Sequence, residues 1–154
     1  EIALQADNLA VGYWGRSSED FYQDGWYRTG DLAFQGLDGA YTVVGRSKDM
    51  IISGGENIYP AELEMLVQQF DEVLECAAIG VPDERWGEVG RAYVVAASGR
   101  AISAEAVIAH CTARLAKFKV PKTVVVGEPI PRTASGKVQK HLLKARALEA
   151  LKQG

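Results

Sequence analysis

The sequence predicts an α+β fold, and three observations carry the prediction. The first 46 residues break into short strand candidates separated by turn dipeptides, and apolar spacing with a helical period begins only after Pro60. From Met50 onward the candidates follow one another as strand, helix, strand, strand, helix, strand, helix. A length of 154 residues with 47% hydrophobic content suits one good core or two small ones and argues against a disordered chain.

Taken in order, the chain opens at Glu1 within an alternating stretch, Ile2, Leu4, Ala6, without a methionine, so the expectation is a piece of a longer protein. Asp24-Gly25 and Asp38-Gly39 are hairpin signals, and Ala40 to Val44 is a short β-rich run. Met50 to Ile52 and Asn57 to Tyr59 flank a Ser53-Gly54-Gly55 turn. Pro60 then opens a helix, where its missing N–H costs nothing and where Glu62 and Glu64 suit the positive end of the dipole. Leu63, Leu66, Val67 and Phe70 give that helix one apolar face. Glu75 to Val81 and Arg91 to Ala97 are strand candidates separated by a polar loop that contains Trp86. Ser103 caps a helix expected to reach Ala116, Thr123 to Val126 is a strand, and a last helix begins near Val138 after a loop rich in Pro, Ser and Gly.

Composition narrows the function classes. The net charge of −3 hides an asymmetry: residues 1–47 carry three bases against seven acids, residues 48–116 five against eleven, and residues 117–154 nine against two. A polybasic coat for nucleic acid is excluded, while the last quarter is positive enough to want an anionic partner. No apolar run approaches the roughly 20 residues that span a bilayer. No basic-then-apolar segment opens the sequence, and a cytoplasmic protein is expected. Cys76 and Cys111 lie in apolar stretches outside any CxxC spacing and read as a buried reduced pair, and His110 and His141 lack the partners of a metal motif.

Three standard templates fail. Gly136-Lys137 resembles the end of a phosphate loop, but the glycine that loop requires five residues earlier is Pro131. Ser53-Gly54-Gly55 is not a dinucleotide fingerprint, and there is no GxSxG nucleophile elbow. Other loops concentrate chemistry. Asp31 follows Tyr27-Arg28-Thr29-Gly30 on a turn, as an acceptor for a pair of sugar hydroxyls or as an ordinary turn cap. Gly45 to Asp49 gathers charge, and Pro131 to Lys137 sets a lysine at a loop tip beside a helix, where a solvated surface lysine is the alternative.

In order, Gly25 to Leu32 (GWYRTGDL), Gly45 to Glu64 (GRSKDMIISGGENIYPAELE) and Pro131 to Lys137 (PRTASGK) resemble the C-terminal third of the adenylate-forming acyl-CoA synthetases, over essentially the whole chain. The resemblance implies activation of a carboxylic acid, a fatty acid first among the candidates, by Mg-ATP to an acyl-adenylate, followed by transfer of the acyl group to coenzyme A. It implies that residues 1–47 are the β-rich end of a large N-terminal domain that holds most of the magnesium site. Residues 48–154 would be a small mobile C-terminal domain, a short, mainly antiparallel sheet packed by helices.

By the same resemblance Asp31 accepts from the ribose hydroxyls, Arg46 reaches the ribose and phosphate side, Lys48 is the hinge and Lys137 is the catalytic lysine of adenylation. Many family members have Asp at the hinge position. Lys137 would act as a cation that bridges the carboxylate and the α-phosphate. Gly54, Gly55 and Glu56 match the loop that lines the pantetheine tunnel, where a side chain would block the thiol. Trp86 stands where some aryl-CoA ligases stack an aromatic on the adenine of CoA, with rim packing as the alternative. Phe118, Lys119 and Lys122 fall in a segment that contacts the CoA nucleotide, although one position that is basic elsewhere is Val120 here. An adenylation domain that loads a carrier protein and a non-catalytic CoA-binding module are the competing classes, and the isolated chain is expected to be inactive.

Overall fold

A computed structural model describes residues 1–153, and the chain divides into two compact units, Glu1–Lys48 and Asp49–Gly154. In the first unit β1 (Ala3–Leu4), β2 (Tyr22–Gln23) and β3 (Trp26–Arg28) form a three-stranded antiparallel sheet in the order β1-β3-β2. Asp24-Gly25 makes the two-residue turn between β2 and β3, with both residues at positive φ (52° and 81°), as the sequence predicts for this dipeptide. β4 (Asp31–Gln35) and β5 (Tyr41–Arg46) form a separate antiparallel pair, closed by a loop in which Gly36 N–H donates to the Ala40 carbonyl.

The second unit is a single sheet with helices on both faces. β6 (Ile51–Ser53) and β7 (Glu56–Ile58) make a hairpin around Gly54-Gly55, and α1 (Pro60–Val67) follows directly, with proline in its first turn. The helix ends before Phe70, whose ring packs on His110 instead, with centroids 4.4 Å apart. β8 (Val73–Asp83) and β9 (Gly87–Ala96) form the longest pair, from Val73 opposite Ala96 to Asp83 opposite Gly87, with one register shift between Val73 and Glu75. After α2 (Ala104–Thr112), capped by Ser103 as expected, β10 (Thr123–Val126) lies parallel to β9, and α3 (Lys140–Gln153) closes the unit. Only the β10 pairing is parallel in this sheet, because the α2 crossover returns the chain in the direction of β9.

The side-chain alternation of β8 builds the core. Cys76 and Ala78 point to one face, where Leu63, Leu66 and Val67 of α1 and Val107 and Cys111 of α2 cover them. Ala77, Ile79 and Val81 point to the other, against Leu143 and Ala147 of α3 and Tyr93 of β9. Burial on both faces is why residues 76–81 read as a continuous apolar run with no polar alternation.

Several boundaries differ from the sequence reading. The helix after Ser103 ends at Thr112, short of the expected Ala116. The polar loop expected between Val81 and Arg91 is mostly strand: β8 and β9 extend to Asp83 and Gly87, leaving Glu84, Arg85 and Trp86 as the turn. Backbone pairing needs no apolar side chain, so the hydrophobic pattern ends before the ladder does. The final helix starts at Lys140 and not near Val138, because Val138 is held in a bridge to Arg132.

Candidate functional site

In the first unit the ends of β4 and β5 bring two of the candidate residues together. Asp31 and Arg46 are register partners, and Arg46 Nε lies 2.6 Å from Asp31 Oδ1. The same guanidinium donates through Nη1 to the Thr29 carbonyl at 3.3 Å. Asp31 opens a strand and is not on the turn the sequence suggested; the turn is Gly30, at φ 76°. The carboxylate is half-buried and keeps its second oxygen, and an ionised carboxylate has acceptor sites beyond the one Arg46 occupies. Lys48 sits exposed in the 3-10 turn Ser47–Asp49, at the division between the units.

In the second unit a groove of about 520 Å³ gathers Ser53, Gly54 and Glu56 from the β6–β7 turn, Arg85 and Trp86 from the β8–β9 turn, and Lys117, Phe118, Val120 and Lys122 from the segment before β10. Gly54 N–H donates to the Trp86 carbonyl at 2.8 Å, which fastens the two turns to each other. The Trp86 turn is itself capped by Asp83, whose Oδ1 accepts from the N–H groups of Arg85 and Trp86, each at 2.9 Å. Trp86 is 40% exposed, and the Arg85 guanidinium lies 4.7 Å from the centroid of its ring. One wall of the groove is therefore aromatic and its rim is cationic. That chemistry fits a nucleotide, which offers a base to stack and phosphates to pair.

Lys119 and Gly55 are candidates that the groove does not gather. Lys119 Nζ donates to both carboxylate oxygens of Glu62, at 2.9 and 2.8 Å, and so ties the Lys117–Lys119 turn to α1. In a 3-10 turn of about three residues, positions two apart point in different directions. Lys117 therefore faces the groove while Lys119 faces the helix. Arg85 and Lys117 are groove residues that the sequence reading missed; the available signal was their adjacency to Trp86 and Phe118. Gly54 also has a steric reason the sequence could not show. A Cβ there would lie 2.7 Å from Trp86 Cε3, so the glycine makes room for the indole.

Lys137 is exposed, and among the described residues its ammonium has no salt-bridge partner. The loop that carries it is more organised than its Pro, Ser and Gly content suggested. Thr133 N–H donates to the Lys137 carbonyl at 2.9 Å, Gly136 N–H to the Thr133 carbonyl at 2.9 Å, and Lys137 N–H to Thr133 Oγ1 at 3.1 Å. Gly136 takes φ 83°, which closes the turn. No group of three or more His, Cys, Asp or Glu side chains among the described residues is arranged to hold a metal ion. No described helix is long and apolar enough to cross a membrane.

Residues 62–137 match the model of the AMP-binding enzyme C-terminal domain. A feruloyl-CoA synthase from an Amycolatopsis species is 48% identical over 148 residues, covering 95% of this chain and 30% of the relative. The long-chain-fatty-acid–CoA ligase FadD13 of Mycobacterium tuberculosis strain H37Rv is 42% identical, over 94% of this chain and 29% of its own length. The crystal structure of ATP-bound MatB from Rhodopseudomonas palustris superposes with a TM-score of 0.86 at 36% identity, over 94% of this chain and 29% of that one. The o-succinylbenzoate-CoA synthetase of Bacillus subtilis, solved with its acyl-adenylate intermediate, gives 0.85 at 40% identity, over 94% and 30%. The chain thus spans about 30% of the length of the curated relatives it matches. Motifs, fold and similarity agree: residues 62–137 are an AMP-binding enzyme C-terminal domain, and the chain's homologues are acyl-CoA ligases.

Proposed function

We propose that this chain is the C-terminal part of an acyl-CoA ligase that converts a carboxylic acid and ATP to an acyl-adenylate and pyrophosphate, then passes the acyl group to the thiol of coenzyme A. The observation that carries the reading is the groove, where three segments far apart in sequence place Gly54, Trp86, Phe118 and Lys122 around one space. An aromatic wall with a cationic rim suits the nucleotide end of CoA.

In this reading residues 1–47 belong to the large domain and residues 48–154 are the mobile domain, with Lys48 as the hinge. Asp31 and Arg46 hold the ribose and phosphate side of the adenylate. Lys137 is the catalytic lysine of the first half-reaction. Its ammonium pairs with the charge that redistributes between the attacking carboxylate and the α-phosphate, and it transfers no proton. Magnesium, which neutralises the phosphates when bound, falls to residues outside this chain. The acids printed in the names of relatives include feruloyl, long-chain fatty and indoleacetate. The reading therefore commits to a carboxylic acid, with a fatty acid the first to assay. A cytoplasmic location is proposed with it, on the two buried free thiols Cys76 and Cys111.

The test uses the full-length protein: acid-dependent ATP–pyrophosphate exchange, followed by transfer to CoA. Exchange followed by thioester formation is the expected result. Transfer to a carrier protein with none to CoA would move the chain to the carrier-loading class, and no exchange with any carboxylate would end the ligase reading.

A further inference from the structure

The loop that presents Lys137 has an ionic fastening on each side. Before it, Arg132 Nε donates to Glu75 Oε2 at 3.0 Å, Nη2 reaches the same oxygen, and Nη1 donates to the Gly136 carbonyl at 2.7 Å. After it, Lys140 Nζ donates to Glu64 Oε1 at 2.7 Å, and that oxygen also accepts the Ala78 N–H at 2.8 Å. Both carboxylates belong to the β8 region: Glu75 is part of the strand, and Glu64 holds one of its amides. The Glu64 and Lys140 side chains are each about one-fifth exposed, whereas Glu75, at 22%, faces a more open Arg132 at 43%, so water screens the Lys140 pair less than the Arg132 pair.

The Arg132 side chain does what a point charge cannot. A guanidinium offers five donors in one rigid plane. Here three of its nitrogens serve acceptors on two chain segments, so the plane cannot turn without losing one of them. Gly136 is the residue whose carbonyl belongs to the peptide entering Lys137. Holding that carbonyl fixes the backbone origin of a side chain with four rotatable bonds, and so narrows the volume its ammonium sweeps. The fold of the sheet does not require this contact, because Gly136 and Lys137 are exposed and lie outside both cores.

We propose that Glu75, acting through Arg132, is a positioning residue for Lys137, with Glu64 and Lys140 holding the other end of the loop. The proposal rests on the role given to Lys137 above. Misplacing a reacting group by about 1 Å costs on the order of 100-fold in rate, and that is the loss expected here.

The experiment uses the full-length enzyme, with exchange and thioester formation from supplied acyl-adenylate measured separately and thermal unfolding followed on the same samples. Glu75→Gln should lower kcat for exchange by ~100-fold with little change in the KM for ATP, while thioester formation and the unfolding midpoint stay near the parent. Arg132→Lys keeps the charge and loses the fork, so it should show the same selective loss. The charge swap Glu75→Arg with Arg132→Glu decides between tether and positioning. It restores an ion pair, but a carboxylate at position 132 cannot donate to the Gly136 carbonyl, so exchange should stay low.

Near-parental exchange in Glu75→Gln, full recovery in the swap, or equal loss in both half-reactions would each overturn the proposal. Failure of the underlying reading looks different: the parent shows no exchange, or Lys137→Ala exchanges normally, and the proposal then falls with it.

Discussion

Trp86 and Gly54 fit each other at two levels: the Gly54 N–H donates to the Trp86 carbonyl at 2.8 Å, and the indole stands where a Cβ on residue 54 would be, 2.7 Å from Cε3. The neighbouring Gly55 has a similar backbone, φ 88° against 58°, but open space around its α-carbon.

The two glycines therefore separate strain from collision. Alanine at either position carries the roughly 1–2 kcal/mol cost of a left-handed backbone, but only Gly54→Ala must also displace the ring. With CoA placed in this groove, Gly54→Ala should slow thioester formation by ~10-fold or more beyond Gly55→Ala, with exchange unchanged in both. Steady-state rates of the two half-reactions check this. Equal effects of the two substitutions would mean that Trp86 does not shape the acceptor site.

The lysines before β10 divide in the same way. Lys122 lines the groove, and Lys119 is engaged by Glu62. Lys122→Ala should raise the KM for CoA by ~10-fold, the scale of one charge-assisted hydrogen bond. The effect should shrink at high salt, because the rim is exposed. Lys119→Ala should leave that KM nearly unchanged and lower the unfolding midpoint, since it leaves the Glu62 carboxylate without its cation. A larger KM effect from Lys119 would return it to the CoA-contacting role that the family motifs imply.

These contrasts show how far the sequence could be read. The elements of residues 49–154 were legible because β8, α1 and α2 each carry an apolar pattern that burial enforces, and Pro60 and Ser103 mark helix starts through backbone chemistry that acts locally. The convergence of Gly54, Trp86 and Phe118 was reached only through family motifs, since no local rule brings residues 54, 86 and 118 together. Side-chain partners distant in sequence were not legible at all. Glu62 and Glu64 read as dipole-compatible residues of a first helical turn, yet they bond Lys119 and Lys140, 57 and 76 residues away. Long-range ion pairs depend on which elements pack side by side, and one sequence holds no pattern that encodes that.

In the proposed ligase, Lys137 should give the sharpest division between half-reactions. Its ammonium has no carboxylate partner among the described residues, so its removal should leave no buried charge behind and should not disturb the fold. Lys137→Ala should depress exchange by ~100- to 1,000-fold, the range for losing one preorganised charge-stabilising group. Thioester formation from supplied acyl-adenylate should stay within about twofold. Lys137→Arg tests geometry with charge kept: the planar, bulkier head should recover little of the lost rate. Comparable losses in both steps would remove Lys137 from the adenylation role.

Cys76 supplies a prediction that depends on neither substrate. Burial, reinforced by the charges of Glu64 and Cys111, pushes its thiol from 9.0 up to about 12, and burial also raises Cys111. The native state therefore keeps these protons at pH values where an unfolded chain releases them. Because the folded form binds more protons between about pH 9 and 12, stability is fully present below that window and is lost as pH rises through it. Cys76→Ala should flatten the fall, so its urea midpoint should decline less than the parent's between neutral pH and about pH 10.5. Groups remote from position 76 contribute equally in both proteins and cancel in the comparison. At about pH 8 a thiol reagent should label neither cysteine in the native state and both after unfolding, because only the thiolate reacts. Parallel declines in parent and variant, or rapid native labelling, would show that the α1–β8–α2 face of the core is open to water.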